Sequence, residues 1–222
     1  MFFCEGIFIS TFFLKNTYRK FFKVWYLKLI YTPQVCTQPW VFIMERISVF
    51  IDGSNLYHII KNMFQDSIKP VDFCFEEFIK ELVRNRYLIN IYYYNSPLDR
   101  KRDERAYRKQ QQFFNNIKRI SKFNLVLCRM QKVKIDGKTV YQVKEDDIHL
   151  AVDLVKFAYK NEYDTAILVS SDGDFVPAIK AVQEIGKKIE NIGFENKFSY
   201  HLKQVCNYFR KFKKKEIERL FD

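Results

Sequence analysis

From Ile47 onward, short apolar runs alternate with segments whose apolar residues recur every three or four positions. The first run, Ile47 to Asp52 (I-S-V-F-I-D), is nearly continuous, as expected of a parallel strand covered on both faces. Gly53-Ser54-Asn55 then opens a helix whose Leu56, Ile59, Ile60 and Met63 share one side. Pro70 breaks this region, and Asp72 is placed to cap a second helix carrying Phe75, Phe78, Ile79 and Leu82. Tyr87 to Tyr94 reads as the second strand. Asn95-Ser96-Pro97 turns it into a long helix from about Arg100 to Ser121, with Phe113, Ile117 and Ile120 facing the core. Phe123 to Cys128 is the third strand, and Val133 to Tyr141 a small hairpin around Asp136-Gly137, a favoured two-residue turn. A helix from about Asp146 to Asn161 places Ala151, Leu154, Val155 and Ala158 inward. Thr165 to Ser170 is the fourth strand. A helix from Phe175 to about Ile185, a weaker strand from Lys188 to Ile192, and a closing helix after Phe198 complete the pattern. Strand alternates with helix throughout, so the class is α/β with a mostly parallel sheet.

Residues 1–43 do not fit this pattern. They hold many aromatic side chains, five Lys or Arg and the single acid Glu5. Glu5 and Lys15 interrupt the apolar run and no small-residue cleavage site follows, unlike a signal peptide. The stretch is also too short and too charged to span a bilayer. We therefore expect an aromatic, basic extension over 1–43, with Met44 a candidate true start, and one domain over 44–222 that ends in a basic helix. No integral membrane association is expected.

Composition sharpens the picture in two ways. The formal charge is +12, which favours an anionic partner, nucleic acid before membrane. Five cysteines, widely spaced and without a C-x-x-C pair, indicate neither a disulfide framework nor a zinc site, so a reducing cytoplasm is the expected location.

The chemistry sits at strand ends. In an open parallel sheet, ligands bind at the carboxyl ends of the strands where strand order reverses. Asp52 ends the first strand, while Asp172 and Asp174 follow the fourth. Asp146 and Asp147 open the helix that returns to that fourth strand, which places them on the same rim. Asp153 shares a face with Asp146, about 120° from Asp147, and reads as a supporting or surface acid. Each acid alone has an ordinary explanation as a cap or turn residue. Together they would repel one another and raise their own pKa values unless a cation sits among them. Oxygen ligands without Cys or His select Mg²⁺ or Mn²⁺ over Zn²⁺. A positive rim surrounds this centre. Arg100, Lys101, Arg102, Arg105, Arg108 and Lys109 crowd the first turns of the third helix, where cations oppose the helix dipole. Lys132, Lys134 and Lys138 on the hairpin leave the third strand at the same edge. Such a rim suits a polyanion held by its backbone.

Three segments carry a resemblance. V-F-I-D-G-S-N-L (Val49 to Leu56), K-E-D-D-I-H-L-A-V-D (Lys144 to Asp153) and I-L-V-S-S-D-G-D-F-V-P (Ile167 to Pro177) resemble, in order and spacing, the NYN domain, LabA-like branch, of the PIN-like nucleases. The resemblance covers roughly Ile47 to Ile192. It implies a three-layer α/β/α sandwich with a mostly parallel five-stranded sheet in the order 3-2-1-4-5. It also implies metal-dependent endonucleolytic cleavage of RNA, expected to be single-stranded, with Mg²⁺ or Mn²⁺ as cofactor. On that basis Asp52, Asp147, Asp172 and Asp174 match the acidic, metal-holding site and Asn55 the polar residue beside it. Ser171, like Asn55, is suited to bonding a carboxylate or a phosphate oxygen. Glu145 and Asp146 stand where such domains usually carry a small or apolar pair. A homodimer is compatible with the sequence.

Other readings fare worse. A haloacid-dehalogenase-type phosphatase needs a second aspartate where Ser54 stands, and a Toprim domain needs a glutamate where Asp52 stands. No nucleotide-binding glycine motif occurs. The remaining rival is a non-catalytic RNA-binding or regulatory module that keeps the fold.

Overall fold

A computed structural model describes residues 44–65, 72–135, 138–143 and 145–221, with the side chains of 130–144 outside that description. The expected extension over 1–43, the break at Pro70 and the turn at Asp136-Gly137 all lie outside the described residues.

Strands and helices alternate around the first strand largely as the sequence pattern predicts. β1 (Arg46–Asp52) leads into α1 (Gly53–Phe64), then α2 (Phe75–Val83) and β2 (Tyr87–Asn95). α3 (Glu104–Ile117), β3 (Phe123–Leu127) and the hairpin of β4 (Met130–Ile135) and β5 (Lys138–Val143) follow. α4 (Asp146–Tyr159), β6 (Thr165–Val169), α5 (Val176–Glu184), β7 (Lys188–Phe194), α6 (Tyr200–Val205), β8 (Tyr208–Phe212) and α7 (Lys214–Glu218) complete the order. The main sheet is parallel throughout, in the order β3-β2-β1-β6-β7-β8, while β4 and β5 pair antiparallel in a separate ribbon.

Period-two alternation divides the sheet between two cores. Ile47, Val49 and Ile51 of β1 and Ile167 and Val169 of β6 face one cluster, which Leu56 and Ile59 of α1, Phe78 of α2, Phe114 of α3 and Ile217 of α7 complete. Phe50 of β1 and Ala166 and Leu168 of β6 face the other, closed by Leu150 and Leu154 of α4, Ile179 of α5 and Leu202 of α6. Among the described residues phenylalanine gathers mainly in the first core, where Phe73, Phe75, Phe78 and Phe221 meet edge to face at centroid distances of 4.9 to 5.4 Å. Such pairs add about 0.5–1.5 kcal/mol each beyond burial.

The three-layer sandwich and the order around β1 agree with expectation, but the sheet has six strands rather than five. The closing helix expected after Phe198 is instead α6, then β8, then the short α7. In Y-F-R-K-F the buried Phe212 pairs with Phe194 on β7, and Arg210 lies 4.1 Å above the Phe212 ring while bonding Glu81 at 2.7 Å. The lysine run hides this strand's alternation. Physically it suits an edge, because cations there discourage pairing with a second chain. Three smaller boundaries also move. α3 begins at Glu104 with Asp103 as its cap, so Arg100, Lys101 and Arg102 lie in the turn before it. Cys74, not Asp72, precedes α2, and no side chain caps that helix. In α4 the buried stripe is Asp146, Leu150, Leu154 and Ala158, with Ala151 and Val155 only partly covered.

β8 is the least expected part of the fold and is easily tested. Phe212→Ala should lower stability by about 3–4 kcal/mol in urea unfolding, the usual cost for a buried phenylalanine. A loss below about 1 kcal/mol would mean that β8 is not part of the cooperative unit.

Candidate functional site

Alternation along β1 and β6 builds the site. Phe50 and Leu168 both face the α4 side, so two residues further on Asp52 and Ser170 emerge toward the same side at the carboxyl ends of neighbouring strands. Ser170 Oγ donates to Asp52 Oδ2 at 3.1 Å, and Asp52 Oδ1 accepts from the backbone N–H of Asn55 at 2.9 Å as the N-cap of α1. Asp52 is only 4% exposed. Both of its bonds come from neutral donors.

The loop after β6 is tied to α1 and to itself. Asn55 Oδ1 accepts from the N–H of Ser171 at 3.2 Å and from its Oγ at 2.9 Å. Ser170 Oγ accepts from the N–H of Asp172 at 3.1 Å, and Asp172 caps the following turn by accepting from the N–H of Asp174 at 3.0 Å. Asn191, fully buried on β7, donates to the carbonyls of Leu168 and Ser170 at 3.1 and 2.9 Å and so pins the point where the chain leaves the sheet. Gly53 is obligatory. A Cβ there would stand 2.4 Å from the Tyr93 ring, whose Oη donates to the Gly53 carbonyl at 3.4 Å.

The start of α4 supplies the remaining acids. Asp146 turns inward, 5% exposed, and accepts from Ser54 Oγ at 3.3 Å, while Asp147 is exposed on the rim. Asp153 lies further along α4, accepting from Tyr94 Oη at 3.1 Å and pairing with Lys156 at 3.3 Å.

The acids act on one another. Burial pushes the Asp52 carboxyl up to about 7, with further upward contributions from Asp147 and Asp146 outweighing part of the relief from its two hydrogen bonds. Asp147 is pushed up to about 6, first by partial loss of hydration and then by Asp146, Asp172 and Asp174. The strain expected of converging carboxylates is therefore present. The donors are carboxylate, hydroxyl and amide oxygens, a set whose chemistry fits Mg²⁺ or Mn²⁺. As placed, however, no three Asp, Glu, His or Cys side chains among the described residues stand close enough to enclose a metal.

The basic residues are less uniform than their spacing implies. Arg100, Lys101, Arg102, Arg105, Arg108 and Lys109 are all exposed, but Arg100 and Arg108 both pair with Glu104, at 2.8 and 3.0 Å. Lys132, Lys134 and Lys138 lie on β4 and β5, and their side chains are outside the described residues.

Sequence reasoning missed four contributors: Asp146 as an inward acid, Ser54 as its partner, Ser170 as the clasp on Asp52, and Asn191 beneath the loop. A signal existed for Asp146, which starts the i, i+4 series that continues through Leu150, Leu154 and Ala158. Ser170 was readable as the residue that alternation places beside Asp52. Nothing in I-E-N-I-G-F marked Asn191 beyond its being polar within an apolar run.

An acidic crevice at the reversal point of a parallel α/β sandwich defines a class of site. The family follows: residues 46–213 match the NYN domain, and the chain belongs to that family, within the PIN-like nuclease superfamily. A protein of unknown function from Vibrio parahaemolyticus, VPA0982, has a similar fold in its crystal structure. It aligns with a TM-score of 0.58 at 21% identity over 76% of this chain and 93% of that one. The uncharacterized protein MJ0482 of Methanocaldococcus jannaschii is 39% identical over 62 residues, 28% of this chain. The present chain spans only 26% of that relative's length. No helix among the described residues is long and apolar enough to cross a membrane.

The raised acids give a signed pH prediction. Asp52 protonates near 7 when folded and near 4 when unfolded, so the folded state binds more protons between those values. Metal-free protein should gain stability as pH falls from 8 to 5, and Asp147 works in the same direction. Asp164 does not interfere. Its bonds to Arg46 hold it well below the usual carboxylate range, so that contribution is lost only as pH falls below about 4. Asp52→Asn keeps the cap and should raise stability at pH 8 by roughly 2–4 kcal/mol while flattening the pH slope. Thermal melts in chelator for both proteins check this. Parallel curves would mean that the buried carboxylate carries no such penalty.

Proposed function

We propose that this chain is a metal-dependent endoribonuclease of the LabA-like branch, acting on single-stranded RNA in the cytoplasm. One observation carries the reading: Asp52 is buried at the β1–β6 crevice with neutral donors only, and other acids face it. Capping α1 needs only a neutral oxygen, so the buried charge itself is a cost to the fold unless a cation joins it.

In this reading Asp52, Asp147, Asp172 and Asp174 hold Mg²⁺ or Mn²⁺. The bound ion would neutralise charge on the scissile phosphate and acidify a water. The protein's own groups set the stage for this. Each Asp52 oxygen already accepts one hydrogen bond, which fixes the carboxylate plane and leaves a lone pair on each oxygen. Asn55 fixes the loop carrying Asp172 and Asp174 by holding Ser171, so its contribution to catalysis is through position. Asp147 would join from the start of α4 and Asp172 from the start of the turn after β6, which its side chain also caps. The exposed cations before and along α3, with Lys132, Lys134 and Lys138, would draw the RNA backbone toward the crevice. Ser171 would contribute to phosphate binding only by releasing Asn55.

The second reading is a non-catalytic RNA-binding module, and the charge of the rim alone would serve it. Labelled single-stranded RNA incubated with the full chain decides between them. Cleavage is expected with Mg²⁺ or Mn²⁺ and none with EDTA, and Asp172→Asn should slow it by at least about 100-fold while leaving metal-free stability unchanged. Retention of RNA without cleavage in every metal would overturn the enzyme.

The rim has its own test. Lys101→Gln combined with Arg105→Gln should weaken RNA binding and reduce its salt slope by about one to two. An unchanged slope would remove that face from the RNA path.

A further inference from the structure

A half-open cavity of about 370 Å³ lies on the α1–α3 side of the crevice, outside the acidic cluster. Its volume falls within the range of small-ligand sites. Two residues belong to both places. Ser54, which bonds Asp146, and Tyr93, which bonds the carbonyl of Gly53 beside Asp52, also line the cavity. Whatever fills it therefore lies next to a phosphate held at the carboxylates.

The walls are aromatic and the rim is polar. Phe75, Tyr93 and Phe113 form a mutually packed triad, with centroids 5.6 to 5.9 Å apart, and Tyr57 stands exposed at the mouth. The loop from Asn95 to Leu98 makes the polar edge. Gln110 on α3 braces it by accepting from the Leu98 N–H at 2.7 Å and donating to the Ser96 carbonyl at 3.1 Å. Ser96 lines the cavity and is 3% exposed, yet its Oγ has no hydrogen-bond partner among the described residues. A buried hydroxyl without a partner is costly in a folded protein and is a natural donor or acceptor for a ligand. A braced loop also carries little ordering cost on binding.

We propose that this cavity is a nucleobase subsite, receiving the base next to the phosphate at the carboxylate rim, an assignment that rests on the ribonuclease reading. Stacking against aromatic rings and hydrogen bonding along a polar edge is how unpaired bases are held. An apolar ligand would leave the Ser96 hydroxyl unmatched. A duplex, whose bases are stacked and paired, would have to unstack one to enter, so the subsite would favour single-stranded RNA.

The test reads binding without cleavage. The full chain in EDTA is titrated with the four ribonucleoside 5′-monophosphates and with ribose 5-phosphate, followed by ligand-observed and amide NMR. Nucleotides should bind at least tenfold more tightly than ribose 5-phosphate and shift the amides of residues 95–98. Ala106→Leu, which narrows the cavity, should weaken nucleotides at least tenfold and leave ribose 5-phosphate unaffected. Ser96→Ala should change the ranking of the four bases threefold or more. Equal binding of nucleotides and ribose 5-phosphate, or amide shifts confined to other regions, would overturn the subsite; the amide map retains that power if Ala106→Leu fails to fold. A short single-stranded oligonucleotide that binds no better than a mononucleotide would assign the cavity to a free nucleotide and overturn the RNA placement. Absence of RNA cleavage alongside cavity binding would instead sink the ribonuclease and leave base binding standing.

Discussion

The side-by-side packing of β1 and β6 is the constraint on which the site depends. Each strand is apolar on both faces, so each is fixed in register by two independent cores, and their carboxyl ends cannot slide apart. Only that rigidity allows a charged group to be held at 4% exposure beside a neighbouring strand. The hydrogen bonds from Ser170 and Asn55 offset part of the desolvation of Asp52 but not all of it, since its carboxyl still protonates near neutrality. At the opposite end of the same strands Arg46 and Asp164 form a clasp at 2.7 Å, with both charges partly solvated. The molecule thus places its matched charges where β1 begins and its mismatched ones where β1 ends. A structural cluster would show the first arrangement at both ends.

The fold was largely legible because a buried parallel strand has no polar alternation to hide it. Ile47 to Asp52 and Thr165 to Ser170 stood out as apolar runs ending in acid or serine, and the family resemblance made them neighbours. β8 escaped because its cations serve the edge rather than the core, and a lysine-rich segment carries no apolar period. The positions of the candidate acids at the strand ends were legible, those of their supports much less so. Asp52, Asp172 and Asp174 sit where strands stop, a position any α/β sequence reveals. Ser54 and Asn191 act across the chain, through partners 92 and 21–23 residues away, and no local pattern encodes such a pairing. Asp146 and Asp147 show the finer limit. Adjacent residues on a helix differ by about 100°, enough to send one carboxylate inward to Ser54 and leave the other on the rim.

The surplus of positive charge divides by role. Arg46, Arg86 and Arg210 have acidic partners at 2.5 to 2.7 Å and stabilise strand ends or helix contacts. The cations around α3 are exposed, and two of them share one carboxylate, so that region remains net basic even where it is paired. Basicity of the whole chain is therefore a poor guide by itself, whereas its distribution separates cations that hold the fold from cations that face solvent near the crevice.

Acid at the centre and base at the border set opposite demands on a polyanion. The border attracts it, and the centre repels it until a cation intervenes. A module evolved only to bind would neutralise the centre, and the cheapest change would be an amide in place of Asp52, whose oxygen would keep the helix cap while its NH2 donated to Ser170 Oγ. Retaining the carboxylate there keeps a destabilising charge in a place where an isosteric neutral residue fits. The metal-dependent reading proposed for the site gives that carboxylate a use, since ionised oxygen ligates a hard cation and an amide does so poorly.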